Sequence, residues 1–316
     1  KVLARETTRY VNANTMPDDA ARLTGKAADW FRADTESTPV FFWLHLMDPH
    51  LPYRWRPLPG DEAEPVLPAS GLFEGNRFMG LHKLREMAPS PPPEILAGVE
   101  MLYDREVRYA DHWVGMLLDS LRELGRLDRT LVIVTSDHGE EFFEHGGYEH
   151  GHSLMPEVTT VPLIVRLPDG RGAGTRVDRT VSLLDIVPSL GQELGWRLPE
   201  GLPGSPDLWS DQGRSVDSTP SILENMLYGP PQQSWLRWPD YRIEDQGEGG
   251  VRWFNLGDDP EAMTPLDPPG DADVLKDRFR TLLDAWDERA RQLGAHERQD
   301  ADLSEATVRQ LESLGY

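Results

Sequence analysis

The sequence predicts an α/β fold followed by a small antiparallel α+β subdomain. Continuously apolar runs, typical of strands buried on both faces, alternate with amphipathic helical patterns. The apolar runs lie at 39–47 and 131–135, and the helical patterns at 18–31 and 93–125. After residue 219 the apolar runs are short and separated by turn residues, which favours an antiparallel sheet. We therefore expect an α/β domain over residues 1–196, and the α+β subdomain with terminal helices over residues 197–316.

Composition excludes several classes of function. The 316 residues carry a formal net charge of −22, which argues against nucleic acid or an anionic membrane surface as a partner. The chain has no Cys, and therefore no disulfide, thiolate metal site or cysteine nucleophile. No apolar stretch reaches about 18 residues, so we expect no membrane span. No signal peptide is present, but Lys1 is not a natural start, so a preceding segment could have carried one.

The first helix and the strand after it are predicted from local signals. Asp18 or Asp19 is expected to cap the helix, and we interpret this acidic pair as a cap and not as metal ligands. The strand ends in Asp48-Pro49-His50, where Asp48 is expected to fix the turn. His45 lies inside the strand and is expected to pack there. His50, at the strand end, is a candidate for a site at the edge of the sheet, with a turn histidine as the alternative.

The central prediction concerns residues 130–152. The strand at 131–135 ends in Ser-Asp-His-Gly, which places a carboxylate and an imidazole where open α/β sheets bind ligands. Asp137 and His138 form a mixed oxygen and nitrogen donor set that suits Zn, Mn or Ca. The alternative is that Asp137 caps a following helix and His138 packs beneath it. Further ionisable residues follow at Glu140, Glu141, Glu144, His145, His150 and His152. Burying them is costly without partners, so we expect a metal cation nearby.

Other polar residues are expected to have structural roles. Asp111 and His112 are predicted to lie on the surface of the long helix, and Asp185 to cap a helix or tether the backbone. The irregular segment 54–93 is expected to contribute to substrate selectivity. In the subdomain, a helix at 271–293 is expected to cover a sheet. Its strands are predicted at Ser221–Leu227, Tyr241–Glu244 and Val251–Leu256.

These motifs resemble the alkaline phosphatase superfamily, and specifically its sulfatase branch. The Ser-Asp-His-Gly turn is similar to the second metal-binding motif of that branch, and the Asp-Pro-His turn to a conserved strand end. The run Val161–Val165 and the helix 182–190 resemble later family segments. The resemblance implies a three-layer α/β/α sandwich with a small carboxy-terminal antiparallel α+β subdomain.

The resemblance also implies a sulfate-ester hydrolase with one divalent metal. Asp137 and His138 would bind this metal, with Ca²⁺ as the expected ion and Mg²⁺, Mn²⁺ or Zn²⁺ as alternatives. His50 and His150 would be catalytic, and together with His152 they would bind the substrate. The substrate would be a small sulfated or phosphorylated molecule, and the compartment periplasmic or extracellular.

The resemblance leaves alternatives open. A phosphoethanolamine or phosphodiester transferase or hydrolase of the same superfamily is the second enzyme reading, and a noncatalytic binding fragment is the third. The family's paired aspartates and its Cys/Ser-x-Pro/Ala-x-Arg nucleophile motif do not occur in this sequence. We interpret Ser210 to Arg214 as a loop. The chain is therefore expected to be the carboxy-terminal two-thirds of an enzyme, without its nucleophile and inactive in isolation.

Overall fold

The chain forms two compact units in a computed structural model. The first unit comprises Lys1–Met87 and Pro91–Thr130, and the second comprises Ala88–Ser90 and Leu131–Tyr316. The structure describes residues 19–35, 39–61, 63, 65–68, 71–78, 80–87, 90–177, 181–200, 202–209, 221–223, 232–237, 241–245 and 250–292. The predicted domain boundary between residues 196 and 197 stays a prediction. Asp18, the loop at 210–214 and the end of the chain after residue 292 lie outside the described residues.

The first unit is built mainly from helices. Its elements are α1 (Ala20–Ala33), β1 (Phe73–Glu74), β2 (Arg77–Phe78), α2 (Leu81–Glu86) and α3 (Pro93–Glu123). The helices α1 and α3 pack together through Ala27, Ala28 and Leu117. Asp19 caps α1, because its side chain accepts a hydrogen bond from the Arg22 amide, as predicted. The long helix predicted at 93–125 is confirmed as α3.

A buried charged cluster holds the first unit together. Arg56 Nε donates to Glu106 Oε2 at 2.6 Å, and its other nitrogens lie 3.3 Å from carboxylate oxygens of Asp48 and Asp19. Burial raises the pKa of Glu106 to about 7, although the charge of Arg56 opposes this shift. Asp48 Oδ1 also accepts from the Ala20 amide at 3.2 Å. Asp48, expected only to fix its own turn, therefore ties that turn to the start of α1.

The apolar segment 39–47 differs from its prediction. Among the described residues it pairs with no strand, and its large side chains lie at the surface, with Phe41 68% and Trp43 76% exposed. His45 is also exposed, so its predicted packing is wrong. A strand is buried on both faces only when other strands flank it and layers cover it. The local sequence pattern contains no information about those partners.

The second unit contains a short two-stranded sheet that leads to the predicted site. Strand β3 (Val132–Thr135) pairs antiparallel with β6 (Leu163–Arg166), and Thr135 lies opposite Leu163. Strands are thus confirmed at both predicted positions, 131–135 and 161–165. The prediction of burial on both faces is wrong for β3, which is half-buried, and Ile164 on its neighbour β6 is 63% exposed. Between them lie the hairpin strands β4 (Glu141–Phe142) and β5 (Tyr148–Glu149) and the helix α4 (Pro156–Thr159).

The carboxy-terminal part of the second unit is an antiparallel sheet covered by a helix. Its strands follow the order β10-β9-β8-β7. They are β7 (Ser221–Leu223), β8 (Gln232–Arg237), β9 (Tyr241–Asp245) and β10 (Val251–Asn255), followed by α6 (Ala272–Gln292). Ile243 and Trp253 pack against Leu275 and Phe279 of α6, so the predicted covering helix is confirmed. Strand β8 was missed, because its start, Gln-Gln-Ser, lacks apolar alternation.

Asp185 fulfils its predicted structural role. It is fully buried at the start of α5 (Ile186–Leu194), where its carboxylate accepts from the amides of Ser182 and Ser205, each at 2.8 Å. Asp111 and His112 lie on α3 as predicted, Asp111 exposed and His112 with its ring against Trp113. No helix in the described part of the chain is long and apolar enough to cross a membrane.

Candidate metal and anion site

The turn after β3 depends on a close backbone approach at Gly139. The Gly139 amide donates to the Val158 carbonyl at 2.8 Å, and the Glu140 amide donates to the Glu157 carbonyl at 3.0 Å. A Cβ atom at residue 139 would lie 2.0 Å from the Glu157 carbonyl oxygen, so only glycine fits. The start of α4 thereby fixes the backbone that follows Asp137 and His138.

Asp137 and His138 present two donor atoms to solvent. The Asp137 side chain is 73% exposed and the His138 side chain 30% exposed. His138 Nδ1 lies 2.8 Å from the Gly139 carbonyl oxygen, which requires the proton on Nδ1. The other ring nitrogen, Nε2, lies 3.9 Å from Asp137 Oδ1. A hydrogen bond from one ring nitrogen to a backbone carbonyl is the arrangement that orients a histidine to bind metal through the other.

The two donors fit part of a divalent metal site. An exposed carboxylate beside an imidazole nitrogen is a donor set that suits Mn²⁺ or Zn²⁺, whereas Ca²⁺ prefers oxygen ligands. Among the described residues, no group of three or more acidic or histidine side chains is arranged to hold a metal ion. Asp137 and His138 therefore supply two ligands, and an ion bound there needs further ones.

His150 lies directly against His138. Their rings stack with centroids 3.8 Å apart and planes inclined by 30°. His150 Nδ1 donates to Glu140 Oε1 at 2.8 Å. Burial alone would lower the pKa of His150, but the Glu140 hydrogen bond and the charges of Glu140, Glu149 and Asp137 outweigh burial and raise it. The structure thus brings three of the predicted site residues together and favours a cationic His150.

His152 is held by a neighbouring carboxylate. Its Nε2 donates to Glu141 Oε2 at 2.7 Å, and Ser153 donates to the same oxygen at 3.2 Å. Glu141 Oε1 accepts from the Gly147 amide at 2.6 Å. Burial would raise the pKa of Glu141, but the hydrogen bonds from His152 and Gly147 lower it. His152 therefore orders the hairpin, and its predicted substrate contact stays a prediction.

The ionisable residues after the turn pair with one another. We expected their burial to require a metal cation, but Glu140 pairs with His150 and Glu141 with His152. A signal exists for the first of these pairs, since β4 and β5 form a hairpin in which Glu141 lies opposite Glu149. The same register places residue 140 opposite residue 150. Recognising this hairpin would have predicted the Glu140–His150 pair.

His145 forms a third pair that sequence reasoning missed. Its Nδ1 lies 2.7 Å from Glu157 Oε1 and its Nε2 lies 3.0 Å from the Ala262 carbonyl oxygen. Burial would lower the pKa of His145, but the hydrogen bonds to Glu157 and Ala262 outweigh it and raise the pKa. No local pattern indicates a contact between residues 117 positions apart.

His50 belongs to the first unit. It is half-buried in the turn after the segment 39–47, where its amide donates to the Met47 carbonyl at 3.0 Å. Its Nδ1 lies 3.0 Å from the Leu51 carbonyl oxygen. The role expected for His50 in catalysis and substrate binding stays a prediction.

Comparison with known proteins identifies one family. Residues 3–195 match the profile of the protein family described as Sulfatase. Arylsulfatase K from Rattus norvegicus is 36% identical over 287 residues, which cover 81% of this chain and 50% of the relative. The chain spans about a third to a half of the length of the curated relatives it matches.

Solved structures agree with the predicted fold. A sulfatase-like protein from Bacteroides thetaiotaomicron superposes with a TM-score of 0.61 at 17% identity, covering 88% of this chain and 66% of that one. The phosphonate monoester hydrolase of Agrobacterium radiobacter gives a TM-score of 0.61 at 18% identity, covering 85% and 60%. The predicted alkaline phosphatase-like α/β fold is confirmed.

Proposed function

We propose that this chain, which belongs to the sulfatase family, supplies the metal-binding and anion-binding part of a sulfate-ester hydrolase site. The observation that carries the proposal is the turn after β3. There Asp137 and His138 expose an oxygen and a nitrogen donor beside the ring of His150, whose pKa is raised by its hydrogen bond to Glu140. An anionic ester needs positive charge near its oxygens in a protein whose net charge is −22.

Asp137 and His138 would hold the divalent metal. A bound metal supplies positive charge that polarises the ester and stabilises negative charge as it develops. Ca²⁺ is the ion implied by family resemblance, while the imidazole donor favours Mn²⁺ or Zn²⁺. The chain's own contribution is orientation. Gly139 fixes the turn, and its carbonyl keeps the His138 proton on Nδ1 so that Nε2 carries the lone pair.

His150 would act on the anion beside the metal. Its imidazolium form, favoured by Glu140, can donate a hydrogen bond to an ester oxygen or transfer a proton to the leaving group. We assign His50 a similar role, and His152 the role of a further substrate-binding group. No residue of this chain is assigned as nucleophile. The resemblance implies a nucleophile made from Cys or Ser in a Cys/Ser-x-Pro/Ala-x-Arg motif, and the chain contains neither Cys nor this motif.

The substrate class we propose is a small sulfate ester. The relatives named arylsulfatase K support this class. Phosphate diesters and phosphonate esters are the second candidates, because tetrahedral phosphorus and sulfur esters present similar anionic oxygens. A binding protein without turnover is the third. The periplasmic or extracellular location implied by resemblance stays a prediction.

One experiment separates these possibilities. The purified chain is loaded with Ca²⁺ or Mn²⁺, and its binding of inorganic sulfate and its hydrolysis of an aryl sulfate and a phosphate diester are measured. Metal-dependent sulfate binding that is weakened about tenfold by His150→Gln, and not by the helix-surface control His112→Gln, supports the proposed site. Faster hydrolysis of the aryl sulfate supports the sulfatase, and faster diester hydrolysis supports the second candidate. Binding without turnover is expected both of the third candidate and of a sulfatase part that lacks its nucleophile. Sulfate binding that is absent, or indifferent to the metal, contradicts the proposal.

A further inference from the structure

His145 connects the metal turn to the carboxy-terminal sheet. One ring nitrogen contacts the side chain of Glu157, and the other contacts the carbonyl of Ala262, which follows β10. The side chains of His145 and Glu157 are only 12% and 13% exposed, so little water competes for these bonds. Both ring nitrogens face acceptors, and only the imidazolium form donates from both.

Glu157 acts on the metal turn through its backbone. Its carbonyl accepts the Glu140 amide at 3.0 Å and leaves no room for a Cβ at Gly139. The adjacent Val158 carbonyl accepts the Gly139 amide at 2.8 Å. The residue that binds His145 with its side chain therefore fixes, with its main chain, the backbone immediately after His138.

Ala262 is a rigid anchor for the other nitrogen of His145. It is fully buried, has a φ of 55°, and packs with Phe254 of β10 and with Met155, which precedes α4. Its amide donates to the Asp259 carbonyl at 3.0 Å. The carbonyl that faces His145 is thus held by the subdomain sheet and its following turn.

We infer that His145 is a positioning residue, which as an imidazolium bridges Glu157 and Ala262 and thereby holds the turn of Asp137 and His138 in its metal-binding conformation. This inference rests on the function proposed above. It gives the carboxy-terminal sheet, which contributes none of the assigned ligands, a role in metal and anion binding.

Other charges around the bridge favour its protonated form. The His145 amide donates to Glu141 Oε1 at 3.2 Å, so a second carboxylate lies close to the ring, and Glu144 is the preceding residue. The charge of Glu157 also acts on Arg242 of β9, whose Nε lies 3.1 Å from Glu244 Oε1. The charges of Glu157 and Glu141 both raise the pKa of His145. While Glu157 is ionised, the bridge should therefore be formed below the ordinary histidine pKa of 6.5 and weaken as pH rises through the elevated pKa of His145.

The test measures backbone protection and metal affinity in the full chain. NMR-detected hydrogen exchange reports the protection factors of the Gly139 and Glu140 amides, and titration with Ca²⁺ and with Mn²⁺ reports affinity. The variants are His145→Ala and His145→Gln, with His112→Gln as the control for loss of a half-buried histidine elsewhere. We expect both His145 variants to lower the two protection factors and to weaken metal binding, each about tenfold, and the control to change neither.

A pH series separates positioning by charge from simple packing. In the wild-type chain the two protection factors should fall as pH rises through the His145 titration, and this step should be missing from both variants. Should His145→Ala fail to fold, Glu157→Gln removes the carboxylate charge while keeping the backbone carbonyl, and is expected to move the step to lower pH.

Unchanged protection and affinity in the His145 variants, or a pH step that persists without His145, would overturn the inference. If the wild-type chain binds no metal, the proposed function fails. The protection factors then still decide whether His145 holds the turn.

Discussion

The buried charges of the first unit and those around the turn after β3 differ in chemistry. In the first unit, Arg56 contacts carboxylates of Asp19, Asp48 and Glu106, and arginine as a residue type does not titrate in the ordinary pH range. Around the turn after β3 the partners of the glutamates are histidines, a residue type whose charge changes near neutral pH. His145 and His150 each face a buried or half-buried glutamate.

The choice of cation fits the role of each cluster: arginine as a residue type keeps its charge in the ordinary pH range, whereas the charge of the histidine–glutamate pairs can change. The arginine cluster joins the start of α1, the turn at Asp48 and the middle of α3. Because arginine does not titrate in the ordinary pH range, the cation of this connection does not depend on pH. The histidine pairs surround a turn whose proposed ligands must exchange protons, metal and substrate. Pairing each histidine with a glutamate satisfies the buried groups and keeps them able to titrate.

The largest effect is expected from removing the arginine. Arg56→Met leaves Glu106 and Asp48 buried without their main cation, and this should lower the free energy of unfolding by about 3–5 kcal/mol. The measurement is denaturant unfolding at pH 8. This pH lies above the pKa of Glu106, which is about 7, so Glu106 is ionised and the missing arginine leaves its charge without a partner. Arg122→Met, which removes a solvent-exposed ion pair on α3, should cost less than about 1 kcal/mol. Equal losses of unfolding free energy in the two variants would show that the buried Arg56 cluster contributes no more to stability than an exposed ion pair.

An intermediate effect is expected at the backbone contact of the turn after β3. Gly139→Ala places a Cβ against the Glu157 carbonyl, so the turn must move, and the cost should be about 1–3 kcal/mol. Divalent-metal affinity should fall with it. Gly115→Ala is the matched control, because nothing lies within 4 Å of its added Cβ on α3, and it should stabilise the chain by about 0.5–1 kcal/mol. A Gly139→Ala variant with wild-type stability and metal affinity would show that the close approach is not required.

The smallest effect is expected in the titration of His145. Its pKa is raised, so its stabilising contribution is present below its ordinary value of 6.5 and is lost as pH rises through the folded-state value. Glu157→Gln should lower the pKa of His145 more than Glu141→Gln does, because Glu157 supplies both a hydrogen bond and charge. NMR titration of the imidazole measures both shifts. The reverse order would show that the bridge is not the main source of the raised pKa.

Sequence reasoning succeeded where the structure depends on neighbouring residues. The cap at Asp19, the helix α3, the role of Asp185 and the turn after β3 all follow from local patterns. These features need only the hydrogen bonds and periodicity of a few consecutive residues.

It failed where the structure depends on distant partners. The segment 39–47 has the composition of a buried strand, but a strand requires a ladder that its own residues do not encode. The partners of His145 and Arg56 lie on other elements, and residue types alone could not assign them. For the same reason, Glu140 and Glu141 could not be assigned from the sequence as the partners of His150 and His152.

The most direct test of the account is metal binding by the turn after β3. Calorimetric titrations with Ca²⁺ and with Mn²⁺ are made on three proteins: the wild-type chain, the double variant that combines Asp137→Asn with His138→Ala, and the control His112→Ala. We expect saturable binding of one divalent ion to the wild type and to the control, and its loss in the double variant. An unchanged stoichiometry and affinity in the double variant would show that Asp137 and His138 do not form the metal site.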